Sequence, residues 1–489
     1  MTSQIFTVSP QFPEKLKSET VVVGSGPGGA LTAYYLAESG RDVLLIEEGS
    51  LQPLESTKSF SIEEMVEKYR NGGITPMFGS PKIVYVEGRV VGGGSEVNSG
   101  LYHRTPDYIL EKWKKNFDVD ALSYKDMLPH FEACEQALSV STLPHEPSKP
   151  SLKLKQGADK MGWEAVEVPR WFTYSQQQDR YGRFLSHKQS MSKTFIPKAI
   201  EHGCKLLPDT WIKSIKQNGA KWVLIGKHQS QREIVIETEH LFICCGAVQT
   251  AALLRRSGIK QNIGNTLQVH PTLKVIAQFD EIINDLDLGV PVFQVKNFAP
   301  RLSFGCSISS PPYLATGMID HPDFLNKVVE NWETMAVYYA MITGHGRGTV
   351  RTIPGFRDPV VRYHLTEEDL RDLSDGLYKL SCLLFEAGAS VIYPSISGMN
   401  RFSNRLHLKD IPEVLPTSKT NLMTIHLFSS CPMGEKKEIC ATDSFGKVHG
   451  FSNLYISDAS LLCTAPGVNP QGSIMAISRR NVLKFLGKL

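Results

Sequence analysis

Val21-Val22-Val23 runs straight into Gly24-Ser25-Gly26-Pro27-Gly28-Gly29, and Ala30 to Ser39 follows with helical composition. No other feature limits the fold as strongly as this spacing, Gly24-x-Gly26-x-x-Gly29. An apolar strand that turns at once into a helix needs glycine where backbone crowds backbone, and the helix start then offers free amides to an anion. Gly40 stops the helix, and Val43-Leu44-Leu45-Ile46 reads as a second apolar strand. A right-handed crossover makes the two strands parallel, so a doubly wound α/β sheet is expected. Glu47 closes the second strand, where a carboxylate can bond the ribose hydroxyls of a dinucleotide, and Glu48 beside it competes for that role. NAD and FAD are equally compatible with this motif, and a tight strand-helix turn without ligand is the plain alternative.

The chain has 489 residues, more than one core usually supports, so two domains built from interleaved segments are expected. Hydrophobic residues make up 41% and charged residues 21% with no low-complexity tract, which excludes disorder. Net charge is +3, and no basic cluster is interleaved with aromatics, so no nucleic-acid partner is expected. Met1 to Thr20 lacks a basic start followed by an apolar run, and no apolar stretch reaches the ~18 residues of a membrane span. Neither a signal peptide nor a membrane partner is therefore expected. The nine cysteines are irregularly spaced without a C-x-x-C pair, which predicts no metal site and a reduced, cytoplasmic protein.

Lys205 to Ile215 and Trp222 to Ile236 read as strands, and Leu241-Phe242-Ile243-Cys244-Cys245 as a strand buried on both faces. From about Leu273 to Asn421 strands alternate with amphipathic helices, Val337 to Ile342 and Glu367 to Ala387 among them. From Ser444 the chain returns to strand, glycine-rich turn and helix. The expected fold is α/β: a Rossmann-like domain from 1–150, 190–268 and 422–489, a connection or lid over 151–189, and an α+β domain over 269–421 with a β-sheet flanked by helices.

Gly88-Arg89-Val90-Val91-Gly92-Gly93-Gly94-Ser95-Glu96-Val97-Asn98-Ser99-Gly100 resembles the flavin-contacting signature of the glucose-methanol-choline (GMC) oxidoreductase family. Gly246 to Ile259 resembles its second signature, departing at Ala251 and, just beyond, at Lys260. His426-Leu427-Phe428-Ser429-Ser430-Cys431-Pro432-Met433-Gly434 is similar to its active-site histidine segment. Leu454 to Ser460, followed by Asn469-Pro470-Gln471-Gly472, is similar to its flavin-binding aspartate and catalytic Asn-Pro pair. The resemblance implies FAD rather than NAD, held by Gly24, Gly26, Gly29 and Glu47 from the first motif. It adds Arg89, Gly93, Gly94, Ser95 and Asn98 from the second, together with Ile212, Asp458, Ala459, Asn469, Pro470 and Gln471. Some relatives attach FAD through a histidine where this chain has Val97, which implies noncovalent FAD here.

Oxidising an alcohol requires removal of the hydroxyl proton while a hydride leaves the carbon, so a base and a hydrogen-bond partner must converge on the oxygen. The resemblance implies His426 as the base, with an unperturbed pKa of about 6.5, and Asn469 as the second catalytic group. Asn469-Pro470 is also good helix-start chemistry for Gln471 to Leu486, so a helix cap is the alternative role of Asn469. His270-Pro271 fits a family pattern too, with a structural turn as its alternative. The partners implied are a small-molecule alcohol and oxygen or another electron acceptor; the oligomeric state stays open. The text around Tyr102-His103-Arg104 and Gly344-His345-Gly346-Arg347-Gly348 is most similar to enzymes acting on the primary hydroxyl of aminosugars in aminoglycoside antibiotic biosynthesis. Such a substrate asks for acidic groups in the pocket, with Glu96 a candidate and an exposed loop glutamate its alternative. Sterols, polyols and simple alcohols stay open, as do a flavin-containing lyase and a flavin-binding protein without turnover.

Overall fold

The computed structural model describes residues 4–9, 12–179, 182–286 and 289–489. The strand Lys15–Val23 lies between Val43–Ile46 and Glu233–Ile243, both parallel to it, with Val21 opposite Leu44 on one side and Leu241 on the other. Lys205–Leu207 and Leu454–Ile456 extend the parallel array at its two ends. Thr210–Asn218 and Lys221–His228 fold back antiparallel to complete a seven-stranded sheet. The apolar runs along these strands are continuous because both faces are covered. Val22, Leu45 and Phe242 pack with the helices Pro27–Glu38 and Gln471–Phe485 on one face, whereas Val21, Leu44 and Ile243 pack with the helix Gly246–Arg256 on the other. The doubly wound arrangement expected from the first motif is present.

A second, eleven-stranded sheet is built around Thr272–Phe279, which runs antiparallel to Met335–Ile342 with Thr272 opposite Met341. The helix Glu367–Glu386 covers one face through Leu370, Leu373, Leu377, Leu380 and Leu384, spaced for one helical stripe. Its start is closed by a capping box in which Thr366 and Asp369 satisfy each other's backbone amides. The helix Lys149–Lys160 lies alongside it.

The sheets cut across the domain boundaries drawn from sequence. Thr75–Ser80 and Lys82–Tyr85, inside the 1–150 segment, belong to the second sheet because Lys82–Tyr85 pairs in parallel with Asn421–Thr424, Asn421 opposite Lys82. Within the 151–189 segment, Ala165–Glu167 forms an edge strand of the second sheet, paired with Phe293–Val295, whereas Arg170–Gln178 and Phe184–Lys188 belong to a small sheet of their own. Among the described residues no helix is long and apolar enough to cross a membrane.

The first turn depends on missing side chains. Gly24 has φ +100°, a left-handed conformation that glycine adopts without penalty, and a Cβ on Gly29 would lie 1.9 Å from the Gly24 carbonyl oxygen. Backbone supplies that obstacle, so neither side can relax by a rotamer change. Gly29→Ala is therefore expected to cost at least about 3 kcal/mol; an unchanged denaturation midpoint would contradict this account of the turn.

Candidate active site

A continuous cleft runs from the strand ends of the first sheet to one face of the second. At the first-sheet end, the Ser25 amide and hydroxyl donate to Glu47 Oε2 at 2.9 and 2.7 Å, and Gly49 N–H donates to Glu47 Oε1 at 3.0 Å. Gly92 N–H donates in turn to Ser25 Oγ at 2.9 Å, which draws the Gly92–Gly94 loop over the first turn. The approach is so close that a Cβ on Gly93 would sit 2.8 Å from Gly26 Cα. Two glycine loops thus form one cradle of bare backbone at a helix N-terminus, the environment a diphosphate requires.

Glu47 and Glu48 separate cleanly. Burial pushes the Glu47 carboxyl up, and its partners are neutral donors. Glu48 is also buried, but Arg70 at 2.7 Å and Arg357 hold its carboxyl down to about 2. The ion pairs commit Glu48, whereas Glu47 lines the cleft with neutral donors as its partners. Further along, Asp458 accepts from the amides of Gly246 at 2.9 Å and Ser460 at 2.8 Å and from the hydroxyls of Thr250 and Ser460. Burial raises its carboxyl, and these bonds partly offset the effect.

Beyond the cradle the strand Asn421–Thr424 delivers His426. Thr424 Oγ1 accepts the His426 amide at 3.1 Å and donates to the His426 carbonyl at 3.1 Å, which holds the His426 backbone. Asn469 Nδ2 lies 3.3 Å from His426 Nε2, and His270 Nδ1 lies 3.1 Å from His426 Nδ1. Gln294 Nε2 donates to Asn469 Oδ1 at 3.3 Å and to the Tyr339 hydroxyl at 3.0 Å, while Gln294 Oε1 faces His103 Nε2 at 3.1 Å. A lone pair on His426 Nε2 requires its proton on Nδ1, donated to His270. That order gives up only the contact from Gly467 N–H to His270 Nε2, at 3.2 Å.

Burial and the charge of Lys296 pull His426 down to about 3, and burial, with Lys296 nearby, holds His103 at about 3 and His270 well below its usual value. The expectation of an unperturbed imidazole is corrected: burial favours the neutral ring of His426. A negative charge brought into the cleft would raise its basicity again.

Two GMC oxidoreductase family profiles match residues 65–272 and 345–478, and a NAD(P)-binding Rossmann-like profile matches residues 22–51. An uncharacterized GMC-type oxidoreductase of Sinorhizobium fredii is 35% identical over 476 residues, covering 95% of this chain and 94% of its own. This chain belongs to the GMC oxidoreductase family. Long-chain-alcohol oxidase FAO1 of Arabidopsis thaliana is 26% identical, covering 95% of this chain and 67% of its own. The crystal structure of pyridoxine 4-oxidase from Mesorbium loti shares the fold with a TM-score of 0.72 at 17% identity, covering 96% of this chain and 99% of that one. As a GMC oxidoreductase the chain is an FAD flavoprotein acting on CH–OH donors.

Within this GMC oxidoreductase the cleft brings together Gly24, Gly26, Glu47, Gly93, Gly94, Asn98, Ile212, Asp458, Ala459, His426, Asn469, Pro470 and Gln471. Three residues expected to touch the cofactor do not line it. Gly29 sits behind the turn, and the Arg89 side chain is exposed. Ser95 is buried beneath its loop, donating to the Gly92 carbonyl at 2.7 Å and accepting Met191 N–H at 3.0 Å. Asn469 is no helix cap: the last helix starts at Gln471 after Pro470 without a side-chain cap bond. Glu96 is neither exposed nor in the cleft, since Ser190 at 3.1 Å and Ser192 at 2.9 Å occupy its carboxylate. His345 is largely exposed on a loop whose amides are held by Asp369, away from the cleft lining. Sequence reasoning missed Gln294 and the pairing of His270; a lone glutamine among Val292, Phe293 and Val295 was the available signal for the first.

The histidine burial has a consequence for stability. Folded His426 titrates at about 3 and the unfolded residue near 6.5, so the unfolded state binds more protons between those values. Its contribution is full above about pH 6.5 and declines as pH falls toward 3. Between pH 6.5 and 5 the protein should lose about 2 kcal/mol more than its His426→Asn variant by chemical denaturation; equal losses would refute this.

Proposed function

We propose that this chain oxidises the carbon of an alcohol to a carbonyl, with noncovalent FAD as hydride acceptor, His426 as base and Asn469 as hydrogen-bond donor to the substrate oxygen. The observation that carries this reading is the His426–Asn469 pair, 3.3 Å apart at a cleft continuous with the dinucleotide cradle. When bound, the flavin takes up the hydride at N5. His426 Nε2 takes the hydroxyl proton while its Nδ1–H stays donated to His270, so the ring that becomes cationic is already anchored. Asn469 keeps its Oδ1 engaged by Gln294 and turns its amide hydrogens toward the substrate oxygen. The Gln471–Phe485 helix starts at the cleft, and its positive end favours negative charge developing nearby. Val97 lines the cleft where a linking histidine would stand, which supports the noncovalent state.

The second-sheet wall of the cleft carries Tyr339, Met341 and Met423 on its strands, with Ile308 and Tyr313 also in the lining. The acidic residues lining the cleft, Glu47, Glu48, Glu87 and Asp458, all lie toward the cradle, so an aminosugar would find no carboxylate at this wall. We therefore read the substrate as an alcohol with an apolar body, and oxygen or another acceptor as the second partner. The test is anaerobic reduction of the purified holoprotein by 1-octanol, followed at the flavin absorbance. His426→Ala should stay yellow yet be reduced ~10³-fold more slowly. Near-normal reduction in that variant would remove His426 from the mechanism.

A further inference from the structure

One charged side chain lining the cleft has no acidic partner among the described residues. Lys274 stands on the central strand Thr272–Phe279, opposite Tyr339, and lines the cleft with Tyr313, Tyr339 and Met341. Its Nζ lies 5.8 Å from the centre of the Tyr313 ring, and no acidic side chain pairs with it among the described residues. Burial alone draws its ammonium down to about 8, which leaves it mostly protonated at neutral pH. Lys296 adds a second positive charge near the histidines, its Nζ buried without a hydrogen-bond partner. Lys274 is half-buried and lines the cleft, the Lys296 ammonium is buried, and a bound anion would give these cations the charge-assisted partner they lack.

Resting on the alcohol oxidation proposed above, we infer that the substrate carries a carboxylate at the end remote from its hydroxyl, and that Lys274 holds that carboxylate. Extended chain from His270 to Lys274 spans roughly 13 Å, so the two functional ends of the substrate stand several carbons apart. The tyrosines and methionines between them suit a hydrocarbon or aromatic body. Lys274 is on this account a specificity-determining residue, and the class of substrate is a medium-length hydroxy acid. The carbon bearing the hydroxyl loses a hydride to FAD and the hydroxyl oxygen loses its proton to His426, which leaves a carbonyl, while the carboxylate is unchanged.

The test compares 8-hydroxyoctanoate with 1,8-octanediol as anaerobic reductants of the flavin in the native holoprotein, Lys274→Met and Lys274→Arg. Native protein should reduce at least 10-fold more efficiently with the acid than with the diol. Lys274→Met should lower that ratio at least 10-fold, and Lys274→Arg should restore a preference for the acid. Octanoate, which has no hydroxyl, should perturb the flavin spectrum of the native protein and compete with the diol. Equal efficiency of acid and diol in native protein, or a ratio unmoved in Lys274→Met, overturns the inference while leaving alcohol oxidation standing. Octanoate binding that depends on Lys274, with no reduction by either alcohol, sinks the oxidation reading and keeps only an anion site. Should Lys274→Met fail to fold, absence of octanoate binding to native protein still overturns the inference.

Discussion

Backbone touching backbone around Gly24 to Gly29 is the contact from which the rest of the cleft is positioned. A Cβ on Gly24 would meet the Cys244 carbonyl at 2.3 Å, and one on Gly28 would meet the Ser457 carbonyl at 2.0 Å. These neighbours come from strands far apart in the chain, laid side by side only because Glu233–Ile243 lies between Lys15–Val23 and Leu454–Ile456. Ser25 then ties the turn to the Gly92 loop, and Asn98 Nδ2 donates to Gln471 Oε1 at 2.7 Å, which binds that loop to the last helix. Asp458 and Asn469 inherit their places from this knot. Small residues permit the approach, and hydrogen bonds then hold it in one register.

Local chemistry was legible wherever it was decided locally. The strand, glycine turn, helix and strand of the N-terminus could be read because turn residues and apolar periodicity agree there, and the Glu367–Glu386 helix because its leucine stripe and capping box agree. Pairings between remote segments were not legible. Nothing near Lys82–Tyr85 announces that it will lie beside Asn421–Thr424, and Glu96 looked exposed because its partners, Ser190 and Ser192, are supplied by another part of the chain. His270-Pro271 reads as a turn in isolation. Its approach to His426 is set by the pairing of Gln268–Val269 with Leu427–Phe428. At Asn469 the sequence offered a cap as the alternative to a site role, and its side chain is taken by tertiary partners, Gln294 and His426.

The polar groups at the reacting end form a single file through His103, Gln294, Asn469, His426 and His270. In a site this dry an unpaired donor or acceptor is expensive, so each member fixes the orientation of the next. Neutral imidazoles suit the arrangement, because a charged one would stand near Lys296 with little water to screen it. The same dryness that weakens His426 as a free base strengthens its response to any negative charge placed beside it.

The strand Asn421–Thr424 belongs to the second sheet, yet two residues past its end stands the imidazole that must meet an amide carried at the head of a helix from the first. The two halves of the reacting pair are therefore mounted on different platforms. A hinge between those platforms would pull the pair apart each time it opened, as jaws cannot part without releasing what they grip. Whatever keeps the two sheets seated against one another therefore also keeps this imidazole and this amide within reach.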